Sequence, residues 1–285
     1  MFMGNHGRVG LLRGLLRERR PQRAGAAEEA RAATVFMLLS LSAPSHAVEG
    51  EQALRPLSTD RPDITESSNT VDRGHFQVEC ELGRYVREGD DGEWSLAELN
   101  LKYGVFHQVD VQLVLATVVG TPTDEGHDFG FGDSALRVKI NWFGNDGGKA
   151  ALALMPWVGV PTGGARGSEA VEGGLMIPFN FKLPLGFSGA LMVEFDAIND
   201  ALDDDYHLEL LTSQALGRRI AGGLGAFLEA VQIYSSEPDV GYAVLFDGGL
   251  TYLVTEYSQL DAGGGAGVTD AAPDWFAFAG ASAKF

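Results

Sequence analysis

The sequence predicts an all-β protein, an antiparallel transmembrane β-barrel of about 12 strands. Three observations lead there. The chain ends in a segment, Trp275 to Phe285, whose odd positions Trp275, Ala277, Ala279, Ala281, Ala283 and Phe285 are apolar, while Gly280, Ser282 and Lys284 occupy even ones. Side chains alternate across a strand, and about 9–11 tilted residues cross a bilayer, so this segment reads as a spanning strand. Second, four successive runs carry polar and charged residues on the face opposite their apolar ones. Third, the runs are about ten residues long rather than five or six, and Tyr103, Trp142, Tyr252 and Trp275 stand near run ends, where interfacial girdles place aromatics. An edge strand of a soluble β-sandwich is the competing reading of the last segment, and alternation by itself does not separate the two.

The elements follow in chain order. Arg31 precedes the apolar run Ala32 to Leu41, and Ser45-His46-Ala47 supplies small residues at the cleavage-critical places. Residues 1–47 therefore read as a secretory signal peptide cut after Ala47, too short to be a transmembrane helix. The basic stretch ahead of it, with Arg17, Arg19, Arg20 and Arg23, is long for a signal, so the start codon is expected further in. A basic nucleic-acid arm is the rival reading of that stretch. Residues 48–73 are polar and without period, and read as an extended N-terminal arm. Residues 74–285 read as the barrel.

Alternation begins at Phe76. Phe76, Val78, Cys80 and Leu82 share one face, with Gln77, Glu79, Glu81 and Gly83 on the other. Ala97, Leu99, Leu101 and Tyr103 then oppose Glu98, Asn100 and Lys102. Val109, Val111, Leu113 and Leu115 oppose Asp110 and Gln112. Leu136, Val138, Ile140 and Trp142 oppose Arg137, Lys139 and Asn141. In a membrane barrel the apolar faces meet lipid and the charged ones a wet lumen. Later runs keep the period with less polarity: Leu152 to Val160, Leu175 to Leu183, Phe187 to Asp196, then His207 to Leu216, Ile220 to Ile233, Tyr242 to Val254 and Gln259 to Ala266. The connections at Tyr103 to His107 and Leu183 to Gly186 are tight, as periplasmic turns are. Arg84 to Glu93, Thr121 to Gly130, Pro161 to Gly174 and Asn199 to Tyr206 are longer, and are expected outside the cell.

Composition excludes several classes. The formal net charge is −18, and removing residues 1–47 takes away seven Arg and three Glu, leaving 14 basic against 36 acidic residues. Nucleic acid is thus no expected partner, since phosphate contact needs a basic face. The 38 Gly favour tight turns and crowded sheet interiors over helices. Cys80, the one cysteine, can form no internal disulfide and reads as a small apolar residue facing outward. His75, His107, His127 and His207 are too scattered for zinc spacing, and none joins a Ser in a nucleophile motif. The Asp203-Asp204-Asp205 run reads as solvated charge. Gly130-Phe131-Gly132 and Gly163-Gly164-Ala165 precede no amphipathic helix, so no nucleotide cradle is expected. No cofactor, metal or catalytic residue is expected; an outer-membrane phospholipase would need a Ser/His pair on neighbouring outward faces.

Several segments together carry a resemblance. Thr59-Asp60-Arg61-Pro62-Asp63-Ile64-Thr65-Glu66-Ser67, Gly74-His75-Phe76-Gln77-Val78-Glu79, Leu101-Lys102-Tyr103-Gly104-Val105, Gly130-Phe131-Gly132-Asp133, Pro161-Thr162-Gly163 and Asp274-Trp275-Phe276 are similar to the meta-pathway phenol-degradation outer-membrane proteins. The resemblance runs from about Ser58 to Phe285. It implies a transporter-type barrel in a Gram-negative outer membrane that passes small hydrophobic or aromatic solutes. The partners implied are outer-membrane lipid and lipopolysaccharide, and the barrel-assembly machinery through the Phe285-terminated strand.

The arm receives a site reading of its own. Pro62 holds Arg61 extended, and Asp60 and Asp63 flank a guanidinium able to bond two oxygens at once. The expectation is that Asp60, Arg61, Asp63 and Glu66 enter the lumen as a plug. There they would pair with the pore-lining Glu79, Glu81, Glu98, Lys102, Arg137 and Lys139. A disordered periplasmic tail fits the sequence about as well, and the resemblance favours the plug. Passive conduction is the expected function; a plugged structural or surface-binding barrel without transport, and a soluble periplasmic β-sandwich, are the alternatives.

Overall fold

The computed structural model describes residues 54–115, 118–123, 126–163, 167–168, 170–200, 205–237 and 240–285. The signal-peptide reading lies outside these residues, as do Asp203, Asp204, Gly164 and Ala165. Fourteen strands follow one another: β1 Phe76–Glu88, β2 Asp91–Phe106, β3 Val109–Leu115, β4 Val118–Thr123, β5 Gly126–Gly130, β6 Ser134–Phe143, β7 Ala150–Val160, β8 Glu172–Lys182, β9 Phe187–Asp200, β10 Asp205–Ala221, β11 Leu224–Ser235, β12 Tyr242–Thr255, β13 Ser258–Gly267 and β14 Trp275–Lys284. Twelve of them, β1, β2, β3 and β6 to β14, form an antiparallel ring closed by β1 pairing with both β14 and β2. Closure leaves no edge, which is what lets strands cross a bilayer. The β4–β5 hairpin prolongs β3 and β6 beyond the ring, held on β2 by Trp94–Leu96 against Val118–Gly120.

Parity decides which side chains meet lipid. Gln77, Glu79 and Glu81 are buried inside, whereas Phe76 and Leu82 are exposed outside. Leu99, Val111, Ile140 and Phe179 all stand on the outer face, each between inward-facing neighbours such as Asp110, Gln112, Lys139 and Asn141. Leu113, Leu136, Leu191, Phe195, Leu208, Leu228, Phe246 and Leu260 are exposed in the same band, far more apolar surface than a water-soluble barrel would show. Tyr103, Trp142 and Tyr252 stand exposed at one margin, and Trp275, Tyr206, Tyr234 and Tyr242 at the other. No helix among the described residues is long and apolar enough to cross a membrane. The strands do so, and the protein is an outer-membrane β-barrel. Phe76 and Phe285 exchange backbone hydrogen bonds of 3.2 and 2.8 Å, so the barrel's two chain ends meet at the margin carrying the short turns, which in such barrels faces the periplasm.

Four expectations need correction. Arg84 to Glu93 is no long loop: β1 runs to Glu88 and β2 starts at Asp91, joined at Gly89, whose φ is 57°. The period is hidden there because the β1–β14 register slips between Glu81 and Gly83, and Ala97 on β2 has φ 57°. Each irregularity inserts a residue and flips the parity beyond it, turning Arg84, Val86, Glu93 and Ser95 inward. Likewise Thr121 to Gly130 is mostly the β4–β5 hairpin, and Ile220 ends β10 rather than starting β11. Finally, the interior is not uniformly wet. Met155, Trp157, Met176, Met192, Leu211, Phe227, Val231, Ile233, Leu245, Phe276 and Phe278 form an apolar cluster inside the ring.

Candidate functional site: the arm within the barrel

Residues 54–73 enter at the short-turn end, rise to mid-barrel and return. At the entrance Arg55 Nε donates to Asp72 Oδ1 at 2.7 Å, and Lys284 Nζ to Asp72 Oδ2 at 2.9 Å. The Ser58 and Ser67 hydroxyls bond at 2.6 Å, and the Ser67 N–H donates to Asp60 Oδ1 at 2.9 Å, closing residues 58–67 into a compact loop. Thr59 Oγ1 donates to the Arg61 carbonyl at 2.6 Å, fixing the backbone ahead of Pro62. On the return limb the Ser68 N–H reaches Asn180 Oδ1, the Thr70 N–H reaches Asn145 Oδ1 and the Val71 N–H reaches Asp110 Oδ2, at 2.6, 3.0 and 2.9 Å. Polar backbone in a barrel interior must be satisfied by side chains of the ring and its turns, and these supply it.

The charged residues converge on the loop. Asp60 is paired with both Lys102 and Lys139, and its N–H donates to Glu79 at 3.0 and 3.1 Å. Lys102 also pairs with Glu79. Arg61 reaches Glu81 at 3.1 Å and Asp261 at 2.7 Å, while Arg84 grips Glu81 from the other side at 2.9 and 3.0 Å. Gly280 makes room for Arg61: a Cβ there would lie 2.2 Å from the guanidinium. Glu66 pairs with Arg137 at 3.0 Å. Burial would raise the Asp60 pKa, yet Lys102 and Lys139 outweigh it and hold the carboxyl well below the usual carboxylate range. Glu66 goes the other way, pushed up to about 7 by burial and by Asp60, against the pull of Arg137, Lys139 and Lys102. Burial would lower the Arg61 pKa, but Asp261 and Glu81 raise it.

All ten sequence-proposed residues therefore gather in one place. Asp60, Arg61, Glu66, Glu79, Glu81, Lys102, Arg137 and Lys139 join the ion pairs. Asp63 and Glu98 line an interior cavity of about 30 Å³, room for a water or two, with Val114, Met176 and Glu194. A larger space of about 280 Å³ lies beside the arm at the short-turn end, lined by Asp63, Asn69, Ala151, Asn180, Ala190, Ala215, Gly217 and Phe227. Sequence reasoning missed Arg84, hidden beyond the β-bulge, and Asp261 and Glu229, each the one carboxylate in its strand's inward row. Glu229 accepts from the Ile64 and Thr65 N–H groups at 2.7 Å each and from the Thr65 hydroxyl. A lone charge at inward parity was the available signal. Among the described residues no group of three His, Cys, Asp or Glu is arranged to hold a metal ion.

With the geometry in hand, three comparisons bear on the chain. A family model described as "putative MetA-pathway of phenol degradation" matches residues 59–285. Among solved structures, an outer membrane channel from Pseudomonas putida F1 is similar at TM-score 0.56 and 14% identity, covering 80% of this chain and 100% of that one. The NanC porin is similar at TM-score 0.51 and 9% identity, covering 73% and 98%. At those identities the likeness is one of fold. No curated protein sequence matches the chain.

Proposed function

The chain belongs to this phenol-degradation family of outer-membrane proteins, and from that premise we propose that it is a passive channel for small hydrophobic or aromatic solutes, with residues 48–73 as its plug. It carries out no reaction of its own. The observation behind the reading is the arm's mode of attachment: it is held by side-chain ion pairs and hydrogen bonds rather than by a ladder, and a Gly- and Ala-lined space of about 280 Å³ runs beside it. A segment so held can shift without opening the ring. The solute class rests on the apolar cluster of Leu211, Val231, Ile233, Leu245, Phe276 and Phe278 packed inside the ring, surface that a displaced arm would open to a ring-sized apolar solute rather than to a sugar or an ion.

Single-channel recording in planar bilayers tests it, comparing the full chain with one lacking residues 50–72. Heat-modifiable gel migration checks that both fold. Several-fold higher conductance is expected without the arm, and liposomes carrying the full chain should swell in phenol. Unchanged conductance would count against the plug. Closure in both proteins would favour a structural or surface-binding barrel, a reading to which the tightly paired interior around Asp60 lends some weight.

A further inference from the structure

The outer wall carries a polar patch that neither arm nor lumen explains. On β10, Leu211 and Ser213 are buried inside the ring, so Thr212 and Gln214 point outward; on β11, Val231 and Ile233 are buried and Gln232 between them points outward. Thr212 stands opposite Gln232 in the ladder. Its hydroxyl donates to Gln232 Oε1 at 2.9 Å. The two amides exchange bonds, Gln214 Nε2 to Gln232 Oε1 at 3.0 Å and Gln232 Nε2 to Gln214 Oε1 at 3.3 Å.

Depth makes the patch costly. Along β10 the outward row descends through Leu210, paired with Tyr234 of the upper girdle, to Arg218, which sits over the Phe187 ring. Gln214 lies midway between these margins, where hydrocarbon offers neither donor nor acceptor. The reciprocal pair uses one N–H of each amide and leaves the other.

We propose that this face is where two copies of the chain meet in the bilayer. An amide is donor and acceptor at once, so the patch is complementary to itself, as a two-fold contact requires. A lipid tail cannot answer it. Beside the amides a groove of about 360 Å³ is lined by the small residue Ala230 and by Leu191, Leu216, Leu228 and Phe246, with the Phe181 ring covering Gly189. Ala230 permits close approach, and the apolar residues around it give a neighbour's apolar side chains a seat. Polar residues at the contact of two membrane-spanning copies hydrogen-bond across it instead of facing lipid.

The test uses the full-length chain in lipid vesicles at low protein-to-lipid ratio. Cys80 faces outward on β1, five strands round the ring from β10, and serves as the internal control. Oxidation should leave the wild type without disulfide dimers, whereas Gln214→Cys in a Cys80→Ser background should give them. Subunit counting by single-molecule photobleaching should find pairs for the wild type. Replacing both Gln214→Leu and Gln232→Leu should weaken pairing on the order of tenfold, by loss of a few intermolecular hydrogen bonds. Leucines facing lipid should not disturb folding. Single copies in the wild type with no cross-link at position 214, or undiminished pairing in the double Leu variant, would overturn the proposal.

Discussion

The two halves of the lumen are built on different electrostatic plans. In the half formed by β13, β14, β1, β2, β3 and β6, buried cations answer buried anions: Arg84, Lys102, Arg137, Lys139 and Lys284 lie within reach of the arm's carboxylates or of Glu79 and Glu81. In the half formed by β7 to β12, Glu172, Glu194, Asp196, Glu209, Glu229 and Asp247 are buried with no buried Lys or Arg on those strands among the described residues. Neutral donors reach three of them, the Trp157 indole N–H to Asp196 at 2.9 Å, the Asn199 N–H to Glu172 at 3.1 Å and the arm's N–H groups to Glu229, and the His207 ring faces Glu209 at 3.2 Å. The spaces between are filled by Met, Leu, Val and Phe, a cluster that Val86, Phe276 and Phe278 continue into the charged half. One half thus grips the arm by charge. The other packs an apolar interior beside it.

If the paired half does the gripping, removing a cation from it should change the current most. Lys102→Met leaves Asp60 with Lys139 and deprives Glu79 of its cation. Breaking a buried pair by deleting one partner costs about 3–5 kcal/mol, and the arm is free to leave while the ring is not. Longer open times and new protease cleavage within residues 54–73 are expected, with unchanged heat-modifiable migration. Wild-type gating in that variant would remove the division of labour.

A smaller effect should follow pH. Docking raises the Glu66 pKa from 4.5 to about 7, burial first and Asp60 second. A carboxyl that holds its proton more tightly when docked contributes stability that is complete below about 4.5 and lost as the pH rises through about 7. Open probability should therefore climb between about pH 5 and 8. Arg137, Lys139 and Lys102 face the same carboxyl and oppose the rise. Glu66→Gln should flatten the profile near the low-pH value. A slope that survives the substitution would assign the response elsewhere.

How much of this was legible in the sequence follows from the same contrast. Alternation with charge at every second position gave β1 as far as Leu82, β3 and β6 their faces, and named Glu79, Lys102, Arg137 and Lys139 as inward. Where inward positions are Ala, Met, Leu or Gly, as on β7, β10 and β12, both faces look apolar and parity goes silent. Period-2 reading also cannot see an inserted residue, which is why Arg84 and Glu93 passed as loop. The pairing of Arg61 with Asp261, two hundred residues apart, depends on ring closure and on the missing side chain at Gly280. No local pattern encodes that.

The least change in current should come from the apolar half. Leu245 on β12 is fully buried in the cluster, which the arm joins through Ile64. Leu245→Ala removes packed methyl groups at a cost of about 2–5 kcal/mol, which should lower the temperature at which the barrel form is lost on gels. The arm's ion pairs through Lys102, Lys139 and Arg61 lie across the lumen and are untouched, so open times and pH response should match the wild type. Were Leu245→Ala to open the channel as Lys102→Met is expected to, the wall and the grip would be one coupled unit, with Ile64 and the Glu229 bonds as the link between them.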